Sequence, residues 1–196
     1  MNFKKSFFII INLKKMIFLF IILKTKMTTE FHNEKFFEND DGIYFKSKYP
    51  SQWYISPFII DDKEYNCCEK YMMAEKARFF GDVNSEKLIM NSYDPKEHKK
   101  IGRNVKNFDA DKWNEVVDDI VYNANYAKFT QNPELKQKLL NSGGKIYVEC
   151  SPYDSIWGNG MNISDTLNTS IENWRGTNRL GLAIMKVRNT LRTSQK

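Results

Sequence analysis

The chain has 196 residues, which is enough for one domain with a sizeable core and short for two. Its 41% hydrophobic and 28% charged residues exclude an intrinsically disordered protein. The net charge of +6 is weak evidence for a nucleic-acid surface, because residues 1–26 hold six of the 30 basic residues and no acidic one. The rest of the chain has equal numbers of basic and acidic residues and is formally neutral.

The N-terminal segment, residues 1–26, is apolar but is divided by Lys14 and Lys15. The apolar runs on either side are each too short to span a bilayer, and no small-x-small cleavage pattern follows them. Three interpretations are open: a segment that is not translated because synthesis starts at Met27, a membrane anchor, and a signal peptide. We favour them in that order, and we expect a cytoplasmic protein with no stable membrane partner.

Residues 27–41 are polar and are expected to be loosely held, and a single domain is expected over residues 42–196. Short strands are predicted at Ile43–Phe45, Phe58–Ile60 and Ile146–Cys150. Helices are predicted at Cys67–Phe80, Ser85–Met90, Asp111–Phe129, Glu134–Asn141 and Asn178–Leu191. Helices therefore predominate, and the predicted fold class is α+β, a mainly helical single domain with a few short strands.

The predicted helix at Cys67–Phe80 carries two charged residues on its apolar side. At 100° per residue, Glu69 and Lys76 share a stripe with Met72 and Met73. Buried unpaired charges are expensive, so such residues are usually paired or face a cleft. In a cleft, Glu69 would be a general acid or base, and Lys76 a cation for phosphate or an amine that forms a Schiff base. Helix geometry alone supports equally a Lys76 that extends to solvent and a Glu69 that caps or pairs locally.

The loop Ser151–Gly160 follows a predicted strand, a usual position for a functional loop. Asp154 would supply a second carboxylate and Trp157 a stacking face, while Gly158 and Gly160 would allow close backbone approach. Taken alone, the loop is better explained as a plain turn with Trp157 in the core.

The segment Asn173–Gly181 opens the last predicted helix. Thr177 or Asn178 can cap this helix, and its free N–H groups together with Arg175 and Arg179 would form a phosphate site. The alternative is an ordinary cap with solvated arginines.

Two shorter polar segments are also candidates. Gly102–Val105 is predicted to be a turn that carries Arg103, and Ser51–Trp53 adds the hydroxyl of Ser51 and another aromatic ring.

The cysteines and histidines follow no catalytic or metal-binding pattern. Cys67, Cys68 and Cys150 are too few and too irregularly spaced for a disulfide framework or a metal site, so we expect buried thiols in a reducing compartment. His32 and His98 lie in polar stretches and are expected to be exposed. We therefore expect no metal and no cofactor.

Six segments in this order resemble the YbiA-like or NADAR family. They are SQWYISPF (51–58), EYNCCEKYMMAEKARFFGD (64–82), DPKEHKKIGRNVKNFDADKW (94–113), KFTQNPELKQKLLNSG (128–143), SPYDSIWGNG (151–160) and NWRGTNRLGLAIMKVR (173–188). The resemblance covers residues 43–191. Two features depart from the family pattern: Lys70 stands where the family often has histidine after the glutamate, and the N-terminal segment has no counterpart.

The resemblance implies an α+β domain that hydrolyses N-glycosidic bonds. It assigns catalysis to Glu69, Lys76 and Asp154. It implies substrate contacts from Trp113, Asn178 and Arg179, to which the segments above add Ser51, Arg103 and Trp157. Asp154 would hold ribose hydroxyls or steady an oxocarbenium-like carbon, the tryptophans would stack on base or sugar, and Arg179 would hold phosphate.

The expected reaction releases ribose 5-phosphate from phosphorylated ribosyl-pyrimidine intermediates of early riboflavin biosynthesis. It would pre-empt the damage that these reactive metabolites cause. One alternative is an ADP-ribosyl glycohydrolase that removes ADP-ribose from guanine in nucleic acid, which would need basic residues beside the pocket. The others are a non-catalytic ADP-ribose-binding module and a structural or interaction protein, which leaves the inward charges of Glu69 and Lys76 unexplained.

Overall fold

The protein, represented by a computed structural model, is described over residues 35–194. The expectations for residues 1–26, and for residues 27–34 of the polar stretch, lie outside the described part. The strands are β1 (Phe36–Glu38), β2 (Gly42–Phe45), β3 (Phe58–Ile60), β4 (Lys63–Tyr65) and β5 (Ile146–Glu149). The helices are α1 (Cys68–Phe79), α2 (Val83–Asn91), α3 (Pro95–Arg103), α4 (Ala110–Gln131), α5 (Pro133–Asn141), α6 (Ile163–Leu167) and α7 (Arg179–Thr193), with a 3-10 turn at Ile171–Asn173. None of these helices has the length and apolarity needed to cross a membrane.

A three-stranded sheet has the order β1-β2-β5. β1 is antiparallel to β2, whereas β2 and β5 are parallel, with Ile43 opposite Tyr147. Parallel neighbours need a long connection, and the chain between them forms the β3–β4 hairpin and helices α1 to α5. Helix α7 packs on β5 so closely that a Cβ at Gly181 would lie 2.0 Å from the carbonyl oxygen of Tyr147. Glycine at this position therefore brings α7 against the strand.

Strand β1 lies inside the stretch that we expected to be loose. Phe36 packs against the main core, and the strand pairs with β2 along its whole length. The two adjacent phenylalanines, Phe36 and Phe37, were the available signal, but a three-residue strand is too short for a periodic pattern.

Helix α1 is enclosed by its neighbours on nearly every side. α2, α3 and α4 all pack against it, and Glu69 and Lys76 are buried among its apolar residues. The opposite side is buried too, including Lys70, Tyr71 and Ala74. The remaining charges pair at its margin, where Arg78 bonds to Glu75 on the same helix and to Glu86 on α2.

Helix α3 was not predicted as a helix, and Gly102 and Arg103 form its last turn instead of a free turn. The sequence contains a start signal, because Asp94 precedes Pro95 and accepts a hydrogen bond from the backbone N–H of Lys96 at 2.9 Å. The helix has few apolar residues, which hides its periodicity. A Cβ at Gly102 would meet the sulfur of Met73 at 2.0 Å, so the glycine brings α3 against α1.

His98 is buried, and the expectation that it is exposed was wrong. Its Nε2 lies 3.0 Å from the carbonyl oxygen of Ser92 and its Nδ1 lies 3.8 Å from the sulfur of Cys67. His98, Ile101 and Gly102 are the residues through which the polar helix α3 packs on the core. All three cysteines are buried and free, as predicted.

Lys128 of α4 has no exposed surface, and its ammonium donates a hydrogen bond to the carbonyl oxygen of Ser51 at 3.0 Å. Burial lowers the pKa of this lysine. We expect Lys128→Ala to lower the free energy of unfolding by about 2–5 kcal/mol, because it leaves a cavity and removes one of the two hydrogen bonds that the carbonyl oxygen of Ser51 accepts, the other coming from the backbone N–H of Tyr54. Urea denaturation would measure the free energy of unfolding. Lys128→Met, which refills the volume, should lose less stability than Lys128→Ala, and the control Lys87→Ala, at an exposed position, should lose little. Equal stability of Lys128→Ala and wild type would contradict this role.

Candidate active site

A cavity of about 390 Å³ lies between α1, α3, the start of α4 and the loop that follows β5. Six of the predicted site residues line it: Glu69, Lys76, Arg103, Trp113, Asp154 and Trp157. Its wall also contains Gln52 and Trp53, from the candidate segment Ser51–Trp53. Three further lining residues were not singled out from the sequence: Lys99, Phe108 and Glu149. A larger cavity of about 450 Å³ lies between β1, β2 and α5. We place the candidate site in the smaller cavity because titratable groups with altered pKa values gather there.

Glu69 lies on the first turn of α1, and 4% of its surface is exposed. The backbone N–H of Glu69 donates to the carbonyl oxygen of Gln52 at 3.1 Å, which ties the Ser51–Trp53 segment to the helix start. Burial raises the pKa of Glu69 to about 7, although Lys99, a hydrogen bond from the Trp53 side chain and Arg103 oppose the rise. A carboxyl group in this range exchanges protons readily at neutral pH.

Glu149, at the end of β5, was missed by the sequence analysis. Its side chain lines the same cavity, and burial raises its pKa to about 8, with the charges of Asp154 and Glu69 adding to the rise. The strand was predicted, so the available signal was a glutamate in an otherwise apolar strand. Two carboxyl groups with raised pKa values therefore face one cavity.

Asp154 holds the loop in shape as well as facing the cavity. Its Oδ1 accepts hydrogen bonds from the backbone N–H groups of Ile156 at 3.1 Å and Trp157 at 2.9 Å. Its Oδ2 lies 3.8 Å from the ammonium of Lys99. A Cβ at Gly158 would lie 2.8 Å from the carbonyl oxygens of Asp154 and Glu149, so this glycine lets the loop fold back on the strand. One oxygen of Asp154 thus remains directed toward the cationic side of the site.

Lys76 lies two turns after Glu69 on α1 and is 9% exposed. Its ammonium lies 3.7 Å from the centre of the Phe108 ring, and no ion pair involves it among residues 35–194. Burial lowers the pKa of Lys76. Phe108 contacts Phe80, which in turn packs against Trp113, so the lysine lies against an aromatic wall. A lysine in this setting loses its proton more easily than one in water.

Three predicted substrate-binding residues lie outside the cavity lining: Ser51, Asn178 and Arg179. The hydroxyl of Ser51 accepts from the backbone N–H of Trp53 at 3.2 Å, so the residue shapes the turn that carries Trp53. Each of the three is occupied by protein contacts that depend on the tertiary fold, which the local sequence does not reveal.

Thr177 or Asn178 was expected to cap the last helix. Asn178 occupies the N-cap position, but its side chain makes no capping hydrogen bond. Its Oδ1 accepts from the backbone N–H of Glu149 at 3.0 Å, and its Nδ2 donates to the carbonyl oxygen of Tyr147 at 2.8 Å. Asn178 therefore fixes the end of β5, from which Glu149 enters the cavity.

Arg179 was expected to hold phosphate, but its Nε donates to Asp118 at 2.8 Å and its Nη1 to Asn114 at 3.2 Å. Its guanidinium lies 5.1 Å from the centre of the Trp157 ring. Arg179 therefore supports the back of Trp157, which packs partly against the main core and partly lines the cavity.

The assembled site combines two proton-exchanging carboxyl groups, a buried amine and flat aromatic faces. Within residues 35–194, no three His, Cys, Asp or Glu side chains are grouped so that they would bind a metal ion. The side chains present are suited to proton transfer and to nucleophilic attack on a carbon beside a flat ring.

Comparison with known proteins agrees with the resemblance seen in the sequence. An N-glycosidase named R617, from Acanthamoeba polyphaga mimivirus, is 43% identical over 125 residues, which are 64% of this chain and 74% of that protein. An N-glycosidase named YbiA, from Shigella boydii, is 30% identical over 135 residues, which are 69% of this chain and 76% of that protein.

A solved structure and a family match complete the comparison. The NMR structure of Escherichia coli YbiA aligns with a TM-score of 0.66 at 25% identity, over 84% of this chain and 93% of that one. The mainly helical α+β fold predicted from the sequence is thereby confirmed. The sequence model of the NADAR domain family matches residues 35–192. The chain belongs to the NADAR domain family.

Proposed function

We propose that the protein is an N-glycosidase that hydrolyses the bond between C1 of a phosphorylated ribose and the nitrogen of a pyrimidine, releasing ribose 5-phosphate. The proposed substrates are the ribosyl-pyrimidine phosphates of early riboflavin biosynthesis, so the reaction would remove reactive intermediates before they damage other molecules. Relatives in a mimivirus, in Shigella and in Nostoc that carry the name N-glycosidase support this class of reaction.

One observation carries the proposal: Glu69, Glu149 and Lys76, each with a pKa moved toward neutrality by burial, line one cavity. A non-catalytic binding module has no need for carboxyl groups near a phosphorylated ligand. Trp113 and Trp157 supply faces against which a pyrimidine or a ribose stacks.

The proposed mechanism uses the raised pKa values of Glu149 and Glu69 and the lowered pKa of Lys76. Near neutral pH, Glu149 holds a proton and gives it to the departing base, which also takes the electron pair of the C1–N bond. Lys76, acting as a free amine, bonds to C1 through its nitrogen. The bond between C1 and the ring oxygen then breaks, the ring oxygen takes a proton from that nitrogen, and a protonated Schiff base results. Glu69, as a carboxylate, activates the water that hydrolyses this bond and frees Lys76. In the alternative, water attacks C1 directly and Lys76 acts as a cation.

In either route, the second carboxylate oxygen of Asp154 is the candidate partner for ribose hydroxyls. Its first oxygen is already engaged by the loop backbone.

The rate is expected to depend on pH as a bell with its maximum between about pH 7 and pH 8. Below the raised pKa of Glu69, about 7, this base takes up a proton, and above that of Glu149, about 8, the acid loses its proton. Because the two carboxyl groups interact, the apparent pKa values of the two limbs describe the pair and not either residue alone. We expect Glu149→Gln to abolish the alkaline limb and to lower kcat by about 10²-fold.

Profiles of kcat/KM against pH would test this assignment, with the exposed Glu115→Gln of α4 as the control that keeps both limbs. An alkaline limb that persists unchanged in Glu149→Gln would transfer the proton-donor role to another group.

A second candidate is removal of ADP-ribose from guanine in nucleic acid. The neutral charge balance of residues 27–196 counted against a basic surface beside the pocket. Lys99 and Arg103 nevertheless line the cavity wall, and Lys96 and Lys100 lie next to them. This arrangement meets the charge requirement for a larger anionic substrate.

Product analysis would separate the candidates. The full chain and Glu69→Gln would be incubated with the pyrimidine ribose phosphates and, separately, with an oligonucleotide that carries ADP-ribosylated guanine. Release of ribose 5-phosphate from the first, lost in the variant, is the expected result. Release of ADP-ribose from the second alone would assign the protein to nucleic-acid repair, and binding of ADP-ribose without turnover of either would leave a binding module.

A further inference from the structure

A second cavity, of about 380 Å³, adjoins the candidate active site along helix α3. Its lining is basic and aromatic: Trp53, Lys96, Lys99, Lys100, Arg103 and Asn104. Three of these residues, Trp53, Lys99 and Arg103, also line the catalytic cavity. The two cavities therefore lie side by side and share these three lining residues.

The four cations, Lys96, Lys99, Lys100 and Arg103, lie on one face of α3, within about 100° of one another around the helix axis. Like charges four residues apart on a helix repel one another, so this arrangement weakens the isolated helix. Protein counter-charges offset it in part, since Glu97 lies 3.5 Å from Lys100 and Asp154 lies 3.8 Å from Lys99. Within the described residues, neither Lys96 nor Arg103 forms an ion pair. An anionic ligand at this face would supply the missing negative charge.

The residue that the resemblance offered for phosphate is engaged elsewhere, because Arg179 bonds to Asp118 and Asn114 and supports Trp157. Arg103 is close enough to Glu69 to lower the pKa of that carboxyl group, so the basic face begins next to the catalytic centre. In a ribose 5-phosphate unit, the phosphate is one sugar ring away from C1. A phosphate group bound at α3 would thus leave C1 near Glu69.

We propose that the basic face of α3 is the subsite for the terminal phosphate of the substrate, with Lys96, Lys99, Lys100 and Arg103 as its cations. This inference rests on the proposed function, in that it places the phosphate of the same substrate. Arginine and lysine hold phosphate by charge-assisted hydrogen bonds, and arginine does so with two donors at once. Lys99, shared by both cavities, marks the border between the phosphate and the sugar.

The test uses the full chain and the double variant Lys96→Gln/Lys100→Gln, whose two positions line the second cavity and not the catalytic one. Kinetics would be measured on a ribosyl-pyrimidine phosphate and on the same compound without phosphate. We expect KM for the phosphorylated compound to rise by about 10-fold or more, with kcat and the constants for the other compound nearly unchanged. Lys87→Gln, an exposed lysine on α2, is the matched control, and melting curves check folding.

Calorimetric titration with ribose 5-phosphate and with ribose gives a measurement that does not require turnover. We expect the protein to bind ribose 5-phosphate more tightly than ribose and the double variant to lose this difference, which would support the subsite. If this result is obtained but the protein hydrolyses neither compound, the proposed function fails and the subsite stands. Turnover with an unchanged KM in the double variant overturns the subsite and leaves the function standing. Loss of oligonucleotide binding in the double variant, with ribose 5-phosphate binding intact, also overturns it and assigns the face to nucleic-acid phosphates.

Discussion

Replacing Glu69 with glutamine should lower kcat on the ribosyl-pyrimidine phosphates by about 10³-fold while leaving the fold intact. General acid or base catalysis contributes about 10²–10⁴-fold, and glutamine neither takes nor gives the proton. The amide keeps the volume of the buried side chain, and its oxygen still accepts the hydrogen bond that the Trp53 side chain gives to the carboxylate. The structural contacts of this position therefore survive while its chemistry is lost.

The control for this experiment is Glu115→Gln, which makes the same chemical change on the exposed side of α4. Its kcat should equal that of wild type, and both variants should have melting temperatures near that of wild type. A Glu69→Gln protein with a near-normal rate would show that Glu69 is a buried structural carboxyl group. If Glu69→Gln has a much lower melting temperature than wild type, Glu69→Asp would be measured in its place, because aspartate keeps the carboxyl group on a shorter side chain.

The centre of the candidate site was predicted from two sources together: its two main residues violate a local rule, and the family resemblance favoured the cleft that helix geometry alone had left open. Glu69 and Lys76 are charges on the apolar stripe of a well-formed helix, and such a violation is expected at functional positions. The structure buries both and directs them to one cavity. The long helix at Ala110–Gln131 and the order of the other predicted elements were likewise visible from periodicity and turn residues.

Other parts of the site depend on contacts that no local pattern records. Glu149 is recognised as a candidate site residue only from the tertiary structure, in which β5 pairs with β2 and Asn178 from α7 fixes the end of the strand. Arg179 was assigned to phosphate because helix starts commonly bind anions, yet Asp118 of α4 occupies it. The basic face of α3 was missed because that helix has few apolar residues to reveal its period.

Lys76→Arg should lower kcat by about 10³-fold although it preserves the positive charge. The Schiff-base route requires a neutral amine that bonds to C1, and burial lowers the pKa of Lys76 in that direction. A guanidinium stays protonated in proteins, so it can balance charge beside Phe108 but cannot attack carbon. Reduction with cyanoborohydride during turnover should attach one ribose 5-phosphate unit to wild type, and peptide mass spectrometry should locate it at Lys76.

The comparison of Lys76→Arg with Lys76→Met decides between the two roles of this residue. If both variants are inactive and neither can be trapped, while Lys87→Met is active and trapped like wild type, Lys76 acts as the nucleophile. If Lys76→Arg keeps most of the rate and only Lys76→Met is inactive, the residue serves as a cation and water attacks C1 directly. The second result would leave the roles of Glu69 and Glu149 in place, because both routes need one carboxyl group to protonate the base and another to activate water. The chemistry of Lys76 is therefore testable separately from that of the carboxyl pair.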